Sequence, residues 1–185
     1  MLRTYQLENL PVPHEVHVAL FSNITNAADL RKQLIAGNAD FEYAFIDATT
    51  IVSLAHALAA AHMSLHRLLV SGKLRTHNAH SEIVYNLSPT NNITEAFRRF
   101  GVSDKTTSLL AIKVSHSKQP HTAADVEKHL RDVIQGDFVE VSDATLARQT
   151  DWSKVKKYYK MQVPQDRLED AETEVLGKMV MSVVG

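Results

Sequence analysis

The chain has 185 residues, of which 44% are hydrophobic and 22% are charged, and its formal net charge is −1. That length suffices for one domain with a substantial core, and the small net charge excludes a protein that coats nucleic acid through its overall electrostatic field. The lack of cysteine excludes disulfides and thiolate metal sites, and no apolar run approaches the roughly 18 residues of a membrane span.

Hydrophobic periodicity predicts strands and helices in the first part of the chain. In chain order these are a strand, a helix, a buried strand and a long helix: His14–Phe21, one within Asn23–Gly37, Tyr43–Asp47 and Thr49–Gly72. Thr50 or Ser53 is expected to cap the long helix, because either hydroxyl can accept a hydrogen bond from a first-turn amide.

The segment NLSPTNNITEAFRRFG, at Asn86–Gly101, is rich in hydrogen-bonding side chains for a short connection. Alternating side chains predict a half-buried strand over Glu82–Leu87 at its start. A turn with Pro89 follows, and Asn92 is expected to cap a helix of about two turns that begins at Ile93. Turn chemistry accounts for these positions but leaves three side chains to serve either the turn or a bound partner: Asn86, Ser88 and Asn91.

The rest of the chain continues the mixture of short strands and helices. The pattern predicts two strands at Leu109–Val114 and Phe138–Val141 and four helices: Ala123–Gln135, Asp143–Arg148, Ser153–Lys160 and about Gln165–Val184. Because the strands and helices follow no strict βαβ order, we predict a single α+β domain over residues 1–185. Its sheet is mixed and largely antiparallel, packs against several helices, and is followed by a long C-terminal helix; the strand order stays open.

No motif for nucleotide binding, metal binding or catalysis is present. Four glycines follow apolar segments, where a helix or strand end needs a positive φ: Gly37, Gly72, Gly101 and Gly136. No glycine-rich loop for phosphate remains, and neither nucleotide-binding glycine pattern occurs. His62 and His66 share a helix face, but no carboxylate or cysteine completes a ligand set at motif spacing. We therefore predict a non-catalytic domain with no metal and no cofactor.

The stretch RTHNAHSEIVYNLSPTNNITEAFRRFGV, Arg75 to Val102, resembles the signature of the PRPK-binding protein (TPRKB-like) family. That family is a small subunit of the KEOPS/EKC complex. The positions that match it are Ser81, Glu82, Leu87, Ser88, Pro89, Asn91, Asn92, Ile93, Ala96, Phe100 and Gly101. Supporting similarity lies in NAADLR (Asn26–Arg31), YAFID (Tyr43–Asp47) and KKYYKM (Lys156–Met161), so the resemblance covers nearly the whole chain.

The resemblance implies a function in tRNA modification. KEOPS makes the threonylcarbamoyl modification of the adenosine beside the anticodon, and this family is not its enzyme. A family member binds and stimulates the small atypical kinase/ATPase subunit, contacts the other subunits indirectly, and helps recruit tRNA weakly through its 3′ end. The resemblance also implies a link to telomere maintenance, a location in nucleus and cytoplasm, and no membrane partner.

Two surfaces are candidates for these contacts. In the last helix, apolar residues span more than one stripe, so its outer residues are expected to meet the kinase: Leu176, Met179, Val180 and Val183. Basic and polar residues around the SPTNN turn are the expected RNA contacts: Lys73, Arg75, Asn86, Ser88, Asn91, Arg98 and Arg99. The run KVKKYYK, Lys154–Lys160, is interpreted as a solvated basic face and ranks second for RNA.

Two alternative functions stay open on the sequence alone. The first is a generic protein-interaction domain unrelated to tRNA, which the identity of copurifying proteins would separate from a KEOPS subunit. The second is a small enzyme with a histidine-based site, for which the only support is the number of histidines, ten.

Overall fold

The computed structural model describes residues 1–115, 120–161 and 168–184, and the side chains of residues 170–182 within the last range. Five strands form one antiparallel sheet in the order β1-β2-β4-β3, and β5 also pairs with β2. The strands are β1 Arg3–Leu7, β2 His14–Ser22, β3 Ala44–Asp47, β4 Leu109–Ser115 and β5 Asp137–Val139. β2 is central, because β4 lies along one of its edges and β1 and β5 share the other.

Eight helices pack on the two faces of this sheet within the described ranges. They are α1 Ala27–Ile35, α2 Leu54–Ser71, α3 Ala79–Asn86, α4 Ile93–Phe100, α5 Ala123–Val133, α6 Asp143–Gln149, α7 Trp152–Tyr159 and α8 Leu168–Val184. α1 and α5 cover one face, against Ala19 and Phe21. The other helices share a larger core with the opposite face, where Val18 and Leu20 lie. The α+β architecture and the long C-terminal helix are as predicted.

The predicted strand at Glu82–Leu87 is wrong, because this segment forms helix α3. Asn78 caps that helix by accepting a hydrogen bond from the amide of Ser81 at 2.8 Å. α3 lies between α2 and the sheet, so every residue from Glu82 to Ser88 is buried. The alternation was misleading because the polar members of the pattern are also buried, each with a polar partner.

The described glycines confirm the positive-φ prediction at two of four positions. Gly37 and Gly72 end α1 and α2 with φ of 66° and 64°. Gly101 instead has an extended backbone, and a Cβ there would lie 2.7 Å from the carbonyl oxygen of Phe97. Gly136 is needed for the same reason, because a Cβ would lie 2.9 Å from the carbonyl oxygen of Ser22. These two glycines permit a close approach rather than a left-handed turn.

Apart from α3, the sequence patterns also missed β1, and they placed the other main elements within a few residues. β1 pairs with β2, with Arg3 opposite Val18 and Leu7 opposite His14. Only one of the two faces of β1 is covered, so its hydrophobic alternation is weak. None of the helices in the described ranges is both long and apolar enough to cross a membrane.

Candidate functional site: the polar turn and the last helix

The segment Ser88–Asn92, here called the polar turn, connects α3 to α4. The hydroxyl of Ser88 accepts a hydrogen bond from the amide of Thr90 at 3.2 Å and lies 3.1 Å from the Thr90 hydroxyl. Asn92 accepts from the amide of Glu95 at 3.0 Å and caps α4, which confirms the predicted cap. Much of the hydrogen-bonding capacity of this turn therefore stabilises the turn itself.

Two of the predicted RNA contacts point into the protein. Asn86 is 1% exposed, and its side-chain amide donates to the carbonyl oxygen of Ala60 on α2 at 3.3 Å. Ser88 is also 1% exposed, and its hydroxyl is used within the turn. The structure thus corrects the expectation that these two side chains face a partner, because α2 and the turn already cover them.

A buried carboxylate fixes the segment that precedes α3. Glu82 is fully buried and accepts a hydrogen bond from the Arg67 guanidinium at 2.8 Å. Its second oxygen accepts from the backbone amides of Arg75 and Thr76 at 3.0 and 2.9 Å, and from the Thr76 hydroxyl at 2.8 Å. The sequence pattern placed Glu82 on the outer side of a strand. It is instead a buried residue whose hydrogen bonds determine where the backbone of Arg75 lies.

Arg75 and Asn91, both predicted RNA contacts, lie together on the surface. One Arg75 nitrogen donates to the Asn91 side-chain oxygen at 2.8 Å and to the Tyr85 hydroxyl at 2.5 Å. Tyr85 donates to the same Asn91 oxygen at 3.2 Å, and the guanidinium lies 5.7 Å from the Tyr85 ring centre. The exposed guanidinium is thereby held in one orientation beside the polar turn. Lys73, two residues earlier, is exposed as well.

The two arginines of α4 share one carboxylate. Arg98 pairs with Glu95 through two hydrogen bonds of 2.7 Å, and Arg99 donates to the same group at 2.9 Å. The hydrogen bonds from Arg98 lower the pKa of Glu95, and Glu95 in turn raises the pKa of Arg98. Arg98 is largely exposed, whereas Arg99 lies over the ring of Tyr158 at 5.3 Å. Arg98 is therefore the more accessible of the two predicted contacts.

The basic run on α7 is partly used inside the protein. The ammonium group of Lys154 donates to the hydroxyl of Thr49 at 2.8 Å and lies 3.4 Å from a carboxylate oxygen of Asp47. Lys157 and Lys160 are exposed, while Val155 and Tyr159 on the other side of the helix are buried in the core. The run thus lies on a packed helix, where Lys154 is bonded within the protein and Lys157 and Lys160 remain on the surface.

α8 has a core side and an outer side. Ala171, Val175 and Met179 are buried in the core, and Leu176 packs partly against it. Val180 and Met181 are 46% and 71% exposed. The structure corrects the expectation that Met179 faces outward, since one turn earlier Val175 points into the same core. Val183 belongs to α8, but its side chain lies outside the described residues.

α8 also contacts the polar turn, so the two predicted surfaces adjoin. The Ser182 hydroxyl donates to the carbonyl oxygen of Ser88 at 3.0 Å. Four residues earlier, the Lys178 ammonium group donates to the carbonyl oxygen of Tyr159 at 2.8 Å, at the end of α7. Neither contact was predictable from the sequence, because both join residues distant along the chain.

A buried hydrogen-bonded pair supports the start of the polar turn. Nδ1 of His56 accepts from the amide of Val52 at 3.5 Å, so Nε2 carries the proton and donates to the Tyr159 hydroxyl at 2.9 Å. Tyr159 in turn donates to the carbonyl oxygen of Leu87. Burial lowers the pKa of His56 to about 3 and raises the pKa of Tyr159 well above its ordinary value. His56 and Tyr159, both in their neutral forms, thus link α2, α7 and the start of the turn through consecutive hydrogen bonds.

We expect acid to destabilise the protein through His56. The folded-state pKa of His56 is depressed. Its contribution to the free energy of unfolding is therefore complete above the ordinary pKa of 6.5 and declines as the pH falls towards 3. The free energy of unfolding should lose about 2 kcal/mol between pH 7 and pH 5 from this residue. Urea unfolding at the two pH values measures the loss, and His56→Gln, which cannot titrate there, should show a smaller one. An equal pH dependence in both proteins would contradict the assignment.

The histidines do not form a metal site in the part of the chain that the structure describes. The rings of His62 and His66 stack with centroids 6.2 Å apart on α2. Searching the described residues finds no group of three or more histidine, aspartate or glutamate side chains placed to hold one ion. A zinc site needs three or four such ligands.

Comparison with known proteins gives consistent matches. The family model of the kinase binding protein CGI-121 matches residues 21–183. The chain is 47% identical over 160 residues to the EKC/KEOPS complex subunit cgi121 of Aspergillus fumigatus, covering 86% of this chain and 84% of that protein. It is 43% identical over 188 residues to the subunit of that name from Aspergillus terreus, covering 100% and 94%. The EKC/KEOPS complex subunit TPRKB of Danio rerio is 33% identical over 165 residues, covering 88% and 89%.

Proposed function

The chain belongs to the kinase binding protein CGI-121 family, and we propose that it is a non-catalytic subunit of an EKC/KEOPS complex. Its family membership confirms the resemblance inferred from the sequence. In the proposed role it binds and stimulates the small atypical kinase/ATPase of the complex and helps recruit tRNA for threonylcarbamoyladenosine modification. We also propose a location in nucleus and cytoplasm and a link to telomere maintenance, both on the family resemblance alone.

The outer side of α8 supports the proposed kinase contact. Val180 and Met181 are adjacent exposed apolar residues on a helix whose other side is fully packed. Exposed apolar groups of this kind are common at protein interfaces, and methionine adapts readily to a partner surface. Leu176 borders this face and can bury its remaining surface against the same partner.

The exposed basic residues beside the polar turn support the proposed contact with tRNA. Arg75 is held by Asn91 and Tyr85, so it presents a pre-oriented guanidinium to a phosphate. Arg98 and Lys73 are exposed further cations, although Glu95 offsets part of the charge on α4. So small a positive surface favours weak, salt-dependent binding of a single-stranded end rather than of a duplex.

We predict that Arg75→Glu, or Arg98→Glu combined with Arg99→Glu, weakens tRNA binding without unfolding the domain. Each lost phosphate contact should reduce the slope of log affinity against log salt by about one. Fluorescence titrations with labelled tRNA at several salt concentrations measure this slope, and thermal melts report folding. Arg131→Glu is the matched control. Arg131 pairs with Glu127 four residues away, and both lie on α5, which covers the opposite face of the sheet from the polar turn. Equal affinity in all variants at low salt would place the RNA surface elsewhere, and Lys157 and Lys160 would be tested next.

The proposed function as a whole is tested by isolating the tagged chain from its own cells. A kinase/ATPase of the EKC/KEOPS complex should copurify, and the purified chain alone should lack ATP turnover and tightly bound metal. Copurification of unrelated proteins only would favour a generic interaction domain. Intrinsic turnover or stoichiometric zinc would favour the histidine-based enzyme.

A further inference from the structure

The contact between α8 and the polar turn has two possible hydrogen-bonding arrangements. The Ser182 hydroxyl lies 3.0 Å from the carbonyl oxygen of Ser88 and 2.7 Å from the carbonyl oxygen of Met179 in its own helix. A serine hydroxyl has a single hydrogen, so it donates to one of these acceptors at a time. The Ser182 hydroxyl can therefore bond fully either to the turn or to its own helix.

The neighbours of Ser182 place this choice between the two proposed contact surfaces. Val180 and Met181, two exposed apolar residues of α8, directly precede it in the chain. On the other side, Ser88 is the first residue of the polar turn, and the preceding Leu87 is held in place by Tyr159. Lys178 ties α8 to the carbonyl oxygen of that same Tyr159. The start of the turn is thus fixed by α7, and among the described side chains of α8 it is Ser182 that forms a hydrogen bond with the turn.

We infer that α8 and the polar turn are energetically coupled through the Ser182 hydroxyl, an inference that rests on the proposed function. A kinase subunit seated on Val180 and Met181 shifts the end of α8 and favours one of the two arrangements. This changes how firmly the Ser88 carbonyl, and with it the turn, is held, and so changes the affinity of the turn for a single-stranded RNA end. By linkage, RNA changes the affinity for the kinase by the same factor.

The test is a binding cycle with the purified kinase subunit and labelled tRNA. The tRNA affinity of the full chain is measured without and with saturating kinase, and we expect a change of at least about fivefold. In Ser182→Ala this factor should fall to roughly one, while the affinity for kinase alone stays within about threefold of the unchanged chain. Thr173→Ala, which removes an exposed hydroxyl earlier in α8, is the matched control and should keep the full factor.

Hydrogen exchange of the amide of Thr90 gives an independent readout. Addition of kinase should change its exchange rate in the unchanged chain and in Thr173→Ala, but not in Ser182→Ala. An equal coupling factor in Ser182→Ala and the unchanged chain, or a factor of one in the unchanged chain, overturns the inference. If the unchanged chain binds no kinase or no tRNA, the proposed function fails, and the coupling fails with it.

Discussion

Val180→Asp is expected to weaken binding of the kinase subunit by at least roughly thirtyfold, because interface hot spots commonly lose 2 kcal/mol or more and 1.4 kcal/mol is tenfold. Val180 is 46% exposed in the free chain, so a partner can still bury about half of its apolar surface. An aspartate at the centre of such a contact adds the cost of removing a charge from water. Calorimetric titration of the purified kinase subunit with each variant measures the change.

The melting temperature separates a lost contact from a damaged fold. Because the core side of α8 is formed by Val175 and Met179, Val180→Asp should melt within a few degrees of the unchanged chain. Ile35→Asp is the matched control, since Ile35 is an exposed apolar residue of α1 on the opposite face of the sheet. Normal kinase binding by Val180→Asp, with normal melting, would show that the outer side of α8 is not the docking face.

Local signals in the sequence were sufficient to predict most elements of the fold. Caps such as Asn92 and Ser53, and the positive-φ positions at Gly37 and Gly72, act over three or four residues and can be recognised without knowing the tertiary structure. The apolar stripe of α8 likewise predicted a long amphipathic helix. These features need no information about which distant segments come together.

The segment that became α3 shows where such signals fail. The pattern predicted its polar residues Glu82 and Asn86 on the solvent-exposed side of a strand, yet both are buried against partners supplied by other elements. Burial of a polar side chain depends on those partners, and their positions are set by the packing of α2 and the sheet. The same argument explains why Asn86 and Ser88 were predicted as RNA contacts, and why the contact between Ser182 and Ser88 was not predicted.

The candidate site could therefore be predicted from the sequence only in part. Arg75, Asn91 and Arg98 were selected for their residue types beside a polar turn, and the structure leaves all three exposed. The orientation of Arg75, by contrast, depends on Tyr85 and on a carboxylate below the surface. The charge of a residue follows from the sequence, whereas its burial and the groups that hold it in place come from the fold.

That carboxylate is expected to matter more for stability than any other single charge near the site. Glu82→Ala should lower the free energy of unfolding by about 3–5 kcal/mol, the usual cost of breaking a buried ion pair by removing one partner. The substitution leaves the Arg67 guanidinium without its carboxylate, and it leaves the amides of Arg75 and Thr76 without the oxygen that accepts from them. A thermal melt should show a decrease on the order of 10 °C for a chain of this size.

A second substitution distinguishes the ion pair from the backbone contacts. In the double variant Arg67→Ala with Glu82→Ala no guanidinium is left without its carboxylate. The loss of unfolding free energy should therefore be smaller than the sum of the losses in the two single variants. Glu140→Ala, which breaks a largely exposed pair with Arg3, is the control and should change stability by no more than about 0.5 kcal/mol. Because Glu82 holds the Arg75 backbone, its removal should also weaken tRNA binding at temperatures where the variant is still folded. A Glu82→Ala protein as stable as the unchanged chain would mean that water or another group replaces the carboxylate, and the proposed positioning of Arg75 would then be wrong.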